Sequence, residues 1–198
     1  MLVIIMALGV GFVFGDGLLI GTNSKQVADQ ILGKLITNPE QLLLYMGDNA
    51  AKAGNNDIAA RVYQTIMARN PSFGAAFNNL GVLMAKKGEM QKAQLLFKEA
   101  TDKDGSARQW YNLALSYYYQ DDFNNALISL HKVVSLEPNN DHAWFDLGIV
   151  AGELFDNSRD TAYLEVASEA FNKVYALNPD FPYAKQNVDM LAVVLQSS

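Results

Sequence analysis

Over most of this 198-residue chain, apolar residues recur at i, i+3, i+4 and i+7, the spacing that gathers them on one face of a helix. The amphipathic stretches come in pairs. Gly54-Asn55-Asn56, Gly88-Glu89 and Asp121-Asp122 separate the members of a pair, and these residues suit a helix stop followed by an N-cap. The pattern also repeats. Gly47 and Gly81 stand 34 residues apart, as do Ala59 and Ala93, and Tyr63 and Phe97; the next step is 33, to Ala114, Ala126 and Leu130. Trp110 and Trp144 are again 34 apart. Small residues (Gly47, Gly81, Ala114, Gly148, with Ala59, Ala93, Ala126, Ala167) fall where paired helices must approach closely, and Phe77, Trp110 and Trp144 fill space between units. One pair cannot bury its apolar face alone, so stability must come from stacking.

Residues 2–14 break this rhythm, being almost wholly apolar, and Leu18-Leu19-Ile20 follow after Gly15-Asp16-Gly17. Positions 2–20 would give about 28 Å of helix, enough for a hydrocarbon core. The segment reads as a single-pass anchor; a cleaved signal peptide and a buried or assembly helix compete, although the basic flank of a signal peptide is missing. Ala7, Gly11 and Gly15 recur every four residues and would form a small-residue face for helix packing in lipid. Basic residues barely orient the span, Lys25 and Lys34 both lying after it.

LLLYMGDNAAKAGNNDIAARVYQTIMARNP (42–71) and WYNLALSYYYQDDFNNALISLHKVVSLEP (110–138) resemble tetratricopeptide (TPR) repeats, with a large residue, Leu-Gly or a small substitute, an aromatic, a mid-repeat Ala and a closing Pro. The resemblance covers residues 40–179. It implies an all-α fold, an α-solenoid of four helix pairs (40–73, 74–106, 107–140 and 141–179) within 39–180, closed by a C-terminal capping helix in 181–198. A transmembrane helix (1–21) and an amphipathic linker helix (22–38) precede it. The cap's apolar face is expected to be Val188, Leu191, Ala192 and Leu195. The fourth unit carries about seven extra residues between its helices, to be taken up as two more turns of helix or as a loop at 156–160.

In similar proteins the first helix of each unit lines a concave groove that receives a peptide or helix. Carried over residue by residue, the groove positions are Leu44, Asp48 and Lys52; Asn78, Asn79, Val82 and Lys86; Arg108, Tyr111, Asn112, Leu115, Tyr118 and Tyr119; and His142, Phe145, Asp146, Ile149 and Glu153. The amides of Asn79 and Asn112 could meet a peptide backbone, and Tyr111, Tyr118, Tyr119 and Phe145 form an aromatic cluster of the kind enriched in hot spots. Some relatives clamp a C-terminal carboxylate with Lys, Asn and Arg. Here Leu44 and Asp48 replace the Lys and Asn of the first unit, which argues against a chaperone-tail adaptor.

A net charge of −6 disfavours nucleic acid, which needs concentrated Lys and Arg. Cysteine is absent, excluding thiolate chemistry, and His131 and His142 are too few for a zinc site or a His-based triad. GVGFVFGDG lacks the Lys-Ser/Thr of a phosphate loop. The reading is therefore non-catalytic, with no cofactor, metal or small-molecule substrate. The expected role is a membrane-anchored scaffold or accessory subunit of a membrane complex, its repeats extracytoplasmic. An adaptor in folding or quality control of exported proteins, and a self-assembling structural protein, are the alternatives.

Overall fold

The computed structural model describes residues 38–197; the anchor (1–21) and nearly all of the linker helix (22–38) expected from sequence lie outside them. The described residues are all helical, an α-solenoid with nine helices and no strand: α1 (Pro39–Lys52), α2 (Asn56–Arg69), α3 (Gly74–Lys86), α4 (Met90–Lys103), α5 (Ala107–Tyr118), α6 (Phe123–Leu136), α7 (Asp141–Ser158), α8 (Ala162–Leu177) and α9 (Ala184–Ser197). None of these helices is long and apolar enough to cross a membrane.

Local chemistry explains the boundaries. Gly54, Gly88 and Asp121, at one repeat position, have φ of 80°, 81° and 57°, the left-handed turn that ends a helix. Asp122 accepts from the Asn125 backbone N–H, Asn140 accepts from that of Ala143, and Gln109 reaches back to accept from that of Ser106. In the fourth unit the left-handed residue is Arg159. α7 runs five residues further past its small residue than α3 does, and α8 starts two residues further ahead of Ala167 than α4 does ahead of Ala93. The seven extra residues thus lengthen both helices, and the loop expected at 156–160 is confined to Arg159–Thr161.

The pairing follows the small residues. A Cβ on Gly47 would lie 2.6 Å from the Tyr63 ring, one on Gly81 2.7 Å from Phe97, and one on Gly148 2.7 Å from Phe171. In the third unit Ala114 and Leu130 take these two positions and share one core cluster. A bulkier small residue is thus matched by a slimmer partner, as close packing requires. Ala59, Ala93, Ala126 and Ala167 are all buried.

α9 occupies the place of a fifth first helix. Ala184 corresponds to Ala76 and Ala143 and is buried like them, and Leu191 joins the core formed by α7 and α8. Asp189 stands where earlier units carry Gly or Ala, and pairs with Lys185 in solvent. The expected apolar face needs one correction. Ala192 is exposed, and Val194 joins Val188 and Leu195 against the core, because the helix turns its 188-191-195 edge inward.

Candidate functional site

The first helices α1, α3, α5 and α7 present equivalent residues at 33- or 34-residue intervals, so chemistry along this face reads as rows. Asn79, Asn112 and Asp146 form one row; Asn78, Tyr111 and Phe145 form the row beside it. The rows interlock. Asn112 donates to Asn78 Oδ1 at 2.7 Å, and one junction further on the Tyr111 hydroxyl donates to Asp146 Oδ2 at 2.6 Å. Both bonds join a residue of one row to a residue of the other in the following unit. Asn78 also donates to Asn79, which donates to Asp48 Oδ1 at 2.7 Å, where the buried Tyr63 hydroxyl donates as well. Arg108 reaches Asn79 Oδ1 at 3.5 Å.

This network changes what the three expected groove amides do. Asn78 is 1% exposed and belongs to the interior, against the expectation that it faces a ligand. Asn79 and Asn112 are half-buried, and each spends its Nδ2 donor on a neighbouring unit. Burial and the adjacent carboxylate hold the Tyr63 hydroxyl (Asp48) and the Tyr111 hydroxyl (Asp146) well above the usual tyrosine range. Burial likewise pushes the Asp146 carboxyl upward, opposed by the Tyr111 hydrogen bond and the His142 charge.

Two clefts flank the Tyr111–Asp146 bond. One, of about 370 Å³, is lined by Arg108, Tyr111 and His142 with Val133, Glu137 and Asn140. The other, of about 170 Å³, is lined by Leu115, Tyr118, Tyr119, Asp146 and Ile149 above Ala114 and Leu130. Of the residues singled out from sequence, Arg108, Tyr111 and His142 therefore meet in the first cleft, and Leu115, Tyr118 and Tyr119 in the second. Phe145 joins neither. It is half-buried between Phe171 and Phe181, with ring centroids 5.5 and 5.0 Å away, and His142 packs edge-on to Phe181. Phe181 follows Pro179 as Phe73 follows Pro71, the repeat signal by which it could have been found. Val133, Glu137 and Asn140, also missed, come from α6 and the turn after it. Ala7, Gly11 and Gly15 lie outside the described residues.

Comparison with known proteins accords with this geometry. Residues 44–108 and 107–140 match family models for the tetratricopeptide repeat. An N-terminal acetyltransferase A complex subunit-like protein of Schizosaccharomyces pombe is 21% identical over 150 residues, covering 72% of this chain; the chain spans only 22% of that protein. Among solved structures, MamA superposes with a TM-score of 0.64 at 23% identity over 77% of this chain and 80% of its own. YrrB, described as a TPR protein with an unusual peptide-binding site, gives 0.66 at 18% identity over 83% of each chain. The first TPR of Spaghetti, bound to the HSP90 peptide SRMEEVD, gives 0.54 at 19% identity, over 63% of this chain and 94% of its own. These structural likenesses show the fold. Residues 44–140 thus match tetratricopeptide repeats, a fold that mediates protein–protein interaction in TPR proteins.

Proposed function

We propose that these tetratricopeptide repeats hold another protein on their first-helix face, and that the chain is a membrane-anchored scaffold or accessory subunit. The observation that carries the docking reading is the pair of clefts either side of the Tyr111–Asp146 bond. Each is open at the surface, and each offers apolar walls with a few polar groups, the makeup of a binding site. Tyr119 is 68% exposed there, far more than an aromatic residue needs for packing. A large, stiff, amphipathic ring at such a rim supplies contact area at little entropic cost.

Membrane attachment rests on residues 2–20, whose length and apolarity match a bilayer core. The Ala7, Gly11 and Gly15 face would seat that helix against other membrane subunits. The subunit reading has a parallel in the S. pombe protein, whose name places it with a complex. An acidic tail such as the HSP90 peptide of the Spaghetti domain fits this face poorly. Asp48, already holding Tyr63 and Asn79, brings negative charge where a carboxylate would have to bind.

Site-specific photo-crosslinking in intact cells tests the proposal, with the photoreactive residue placed at Tyr119 or, as a control on the second-helix face, at Leu95 (65% exposed). The expected outcome is a discrete adduct with a different protein from position 119, found in the membrane fraction, and none from 95. Adducts only between copies of this chain would favour self-assembly instead, and a smear of many clients would favour the quality-control adaptor.

A further inference from the structure

The smaller cleft has a chemical character that the larger one lacks. Tyr118 and Tyr119 meet edge-to-face at 5.9 Å, and Phe123 stands 5.6 Å from Tyr118. Leu115 and Ile149 supply the aliphatic walls and Asp146 the polar margin; no Lys or Arg lines it. Burial first, and after it the nearby carboxylates of Glu153, Asp146 and Asp121, push the Tyr118 hydroxyl above the usual tyrosine range, so negative charge lies around the aromatic group. Arg108 and His142 line the other cleft, across the Tyr111–Asp146 bond. The His142 charge reaches Asp146, while Glu153 and Asp121 make no ion pair among the described residues.

A gradient of charge runs along the whole face and is negative at this end. At one repeat position the first helices carry Lys52, Lys86, Tyr119 and Glu153, so the sign of charge reverses between the first two units and the fourth. Aromatic faces attract cations, and a carboxylate rim around a partly desolvated site strengthens that attraction. A volume of about 170 Å³ suits one side chain, being close to the roughly 150 Å³ cavity that holds a benzene ring.

We infer that this cleft receives the cationic end of a lysine or arginine side chain of the docked partner, its aliphatic stem lying between Leu115 and Ile149. The inference rests on the docking reading above and adds to it the charge of the partner segment. Glu153 and Asp146 steer the cation, the tyrosine rings cover its stem, and the acidic end of the row fixes which way the segment runs.

The full chain, labelled at leucine and isoleucine methyls, is titrated with three probes of matched length: n-butylammonium, n-butanol and pentanoate. The Leu115 and Ile149 methyl shifts should saturate with n-butylammonium at concentrations about fivefold below those needed with n-butanol, and pentanoate should leave them unmoved. Asp146→Asn with Glu153→Gln, which keeps shape and hydrogen-bond acceptors, should abolish the preference. Equal response to n-butylammonium and n-butanol would overturn the cationic assignment while leaving the docking surface to be decided by the crosslinks. A stronger response to pentanoate, or no response to any probe, would also overturn it.

Discussion

Tyr111 and Asp146 lie 35 residues apart and meet at 2.6 Å, one of two equivalent bonds that tie first helices of successive units together. Their bond divides the first-helix face into its two clefts, so it positions candidate contact residues as well as stabilising a junction.

Tyr111→Phe removes this donor and leaves the Asp146 carboxylate desolvated without it. The folded pKa of Asp146, already raised by burial, should then rise further above its unfolded value. For a raised carboxyl, stability is fully present below the unfolded pKa, about 3.9, and is lost as pH climbs through the folded pKa. Urea unfolding should therefore show a loss of about 2 kcal/mol at neutral pH and about 1 kcal/mol near pH 3.5. An equal or larger loss in acid would refute the role given to Asp146.

The glycine–aromatic pairs make a second prediction. Gly81→Ala should cost about 1–3 kcal/mol by driving a methyl into the Phe97 ring. Adding Phe97→Leu, the arrangement of Ala114 and Leu130, should recover part of the loss in a double-mutant cycle. Within α7, Gly148→Ala should destabilise against Phe171, whereas a Cβ at Gly152 meets nothing within 4 Å and Gly152→Ala should stabilise by about 0.5–1 kcal/mol. Additive effects at 81 and 97, or the same sign at 148 and 152, would contradict the packing account.

Alkaline titration supplies a third. The Tyr63 and Tyr111 hydroxyls are held above the tyrosine range by burial and a neighbouring carboxylate, so the folded chain keeps protons that the unfolded chain releases from about pH 10. Stability should fall with rising pH above that point, and ultraviolet difference spectra should show these two ionising only as helicity is lost. Tyr63→Phe with Tyr111→Phe should flatten the fall. Ionisation of all tyrosines in one step, with helicity intact, would count against buried hydroxyls.

The fold was legible because repeat packing is written in residue size. Gly47, Gly81 and Gly148 mark the close crossings at fixed spacing, and the left-handed turns at Gly54, Gly88 and Asp121 punctuate them. The site was legible only in part. Tyr118, Tyr119 and Leu115 could be placed on the first-helix face by their row, but a row does not say which member reaches inward. Asn78 and Phe145 share a row with Tyr111, yet Asn78 is buried under Asn112 and Phe145 is packed by Phe171 and Phe181. Those partners come from other elements, and helical periodicity carries no information about them. Alanine at Tyr111 or Tyr118 would be a poor probe of binding, since both rings pack against the core.

The central claim, that the first-helix face holds a protein partner, is tested most directly by native mass measurement of the full chain after gentle detergent extraction. Leu115→Asp with Tyr119→Asp, neither of which packs against a core cluster, should release a stoichiometric partner while the melting transition stays cooperative, and Leu95→Asp on the second-helix face should keep it. Retention of the partner by the folded double variant, or its equal loss on Leu95→Asp, would contradict the account.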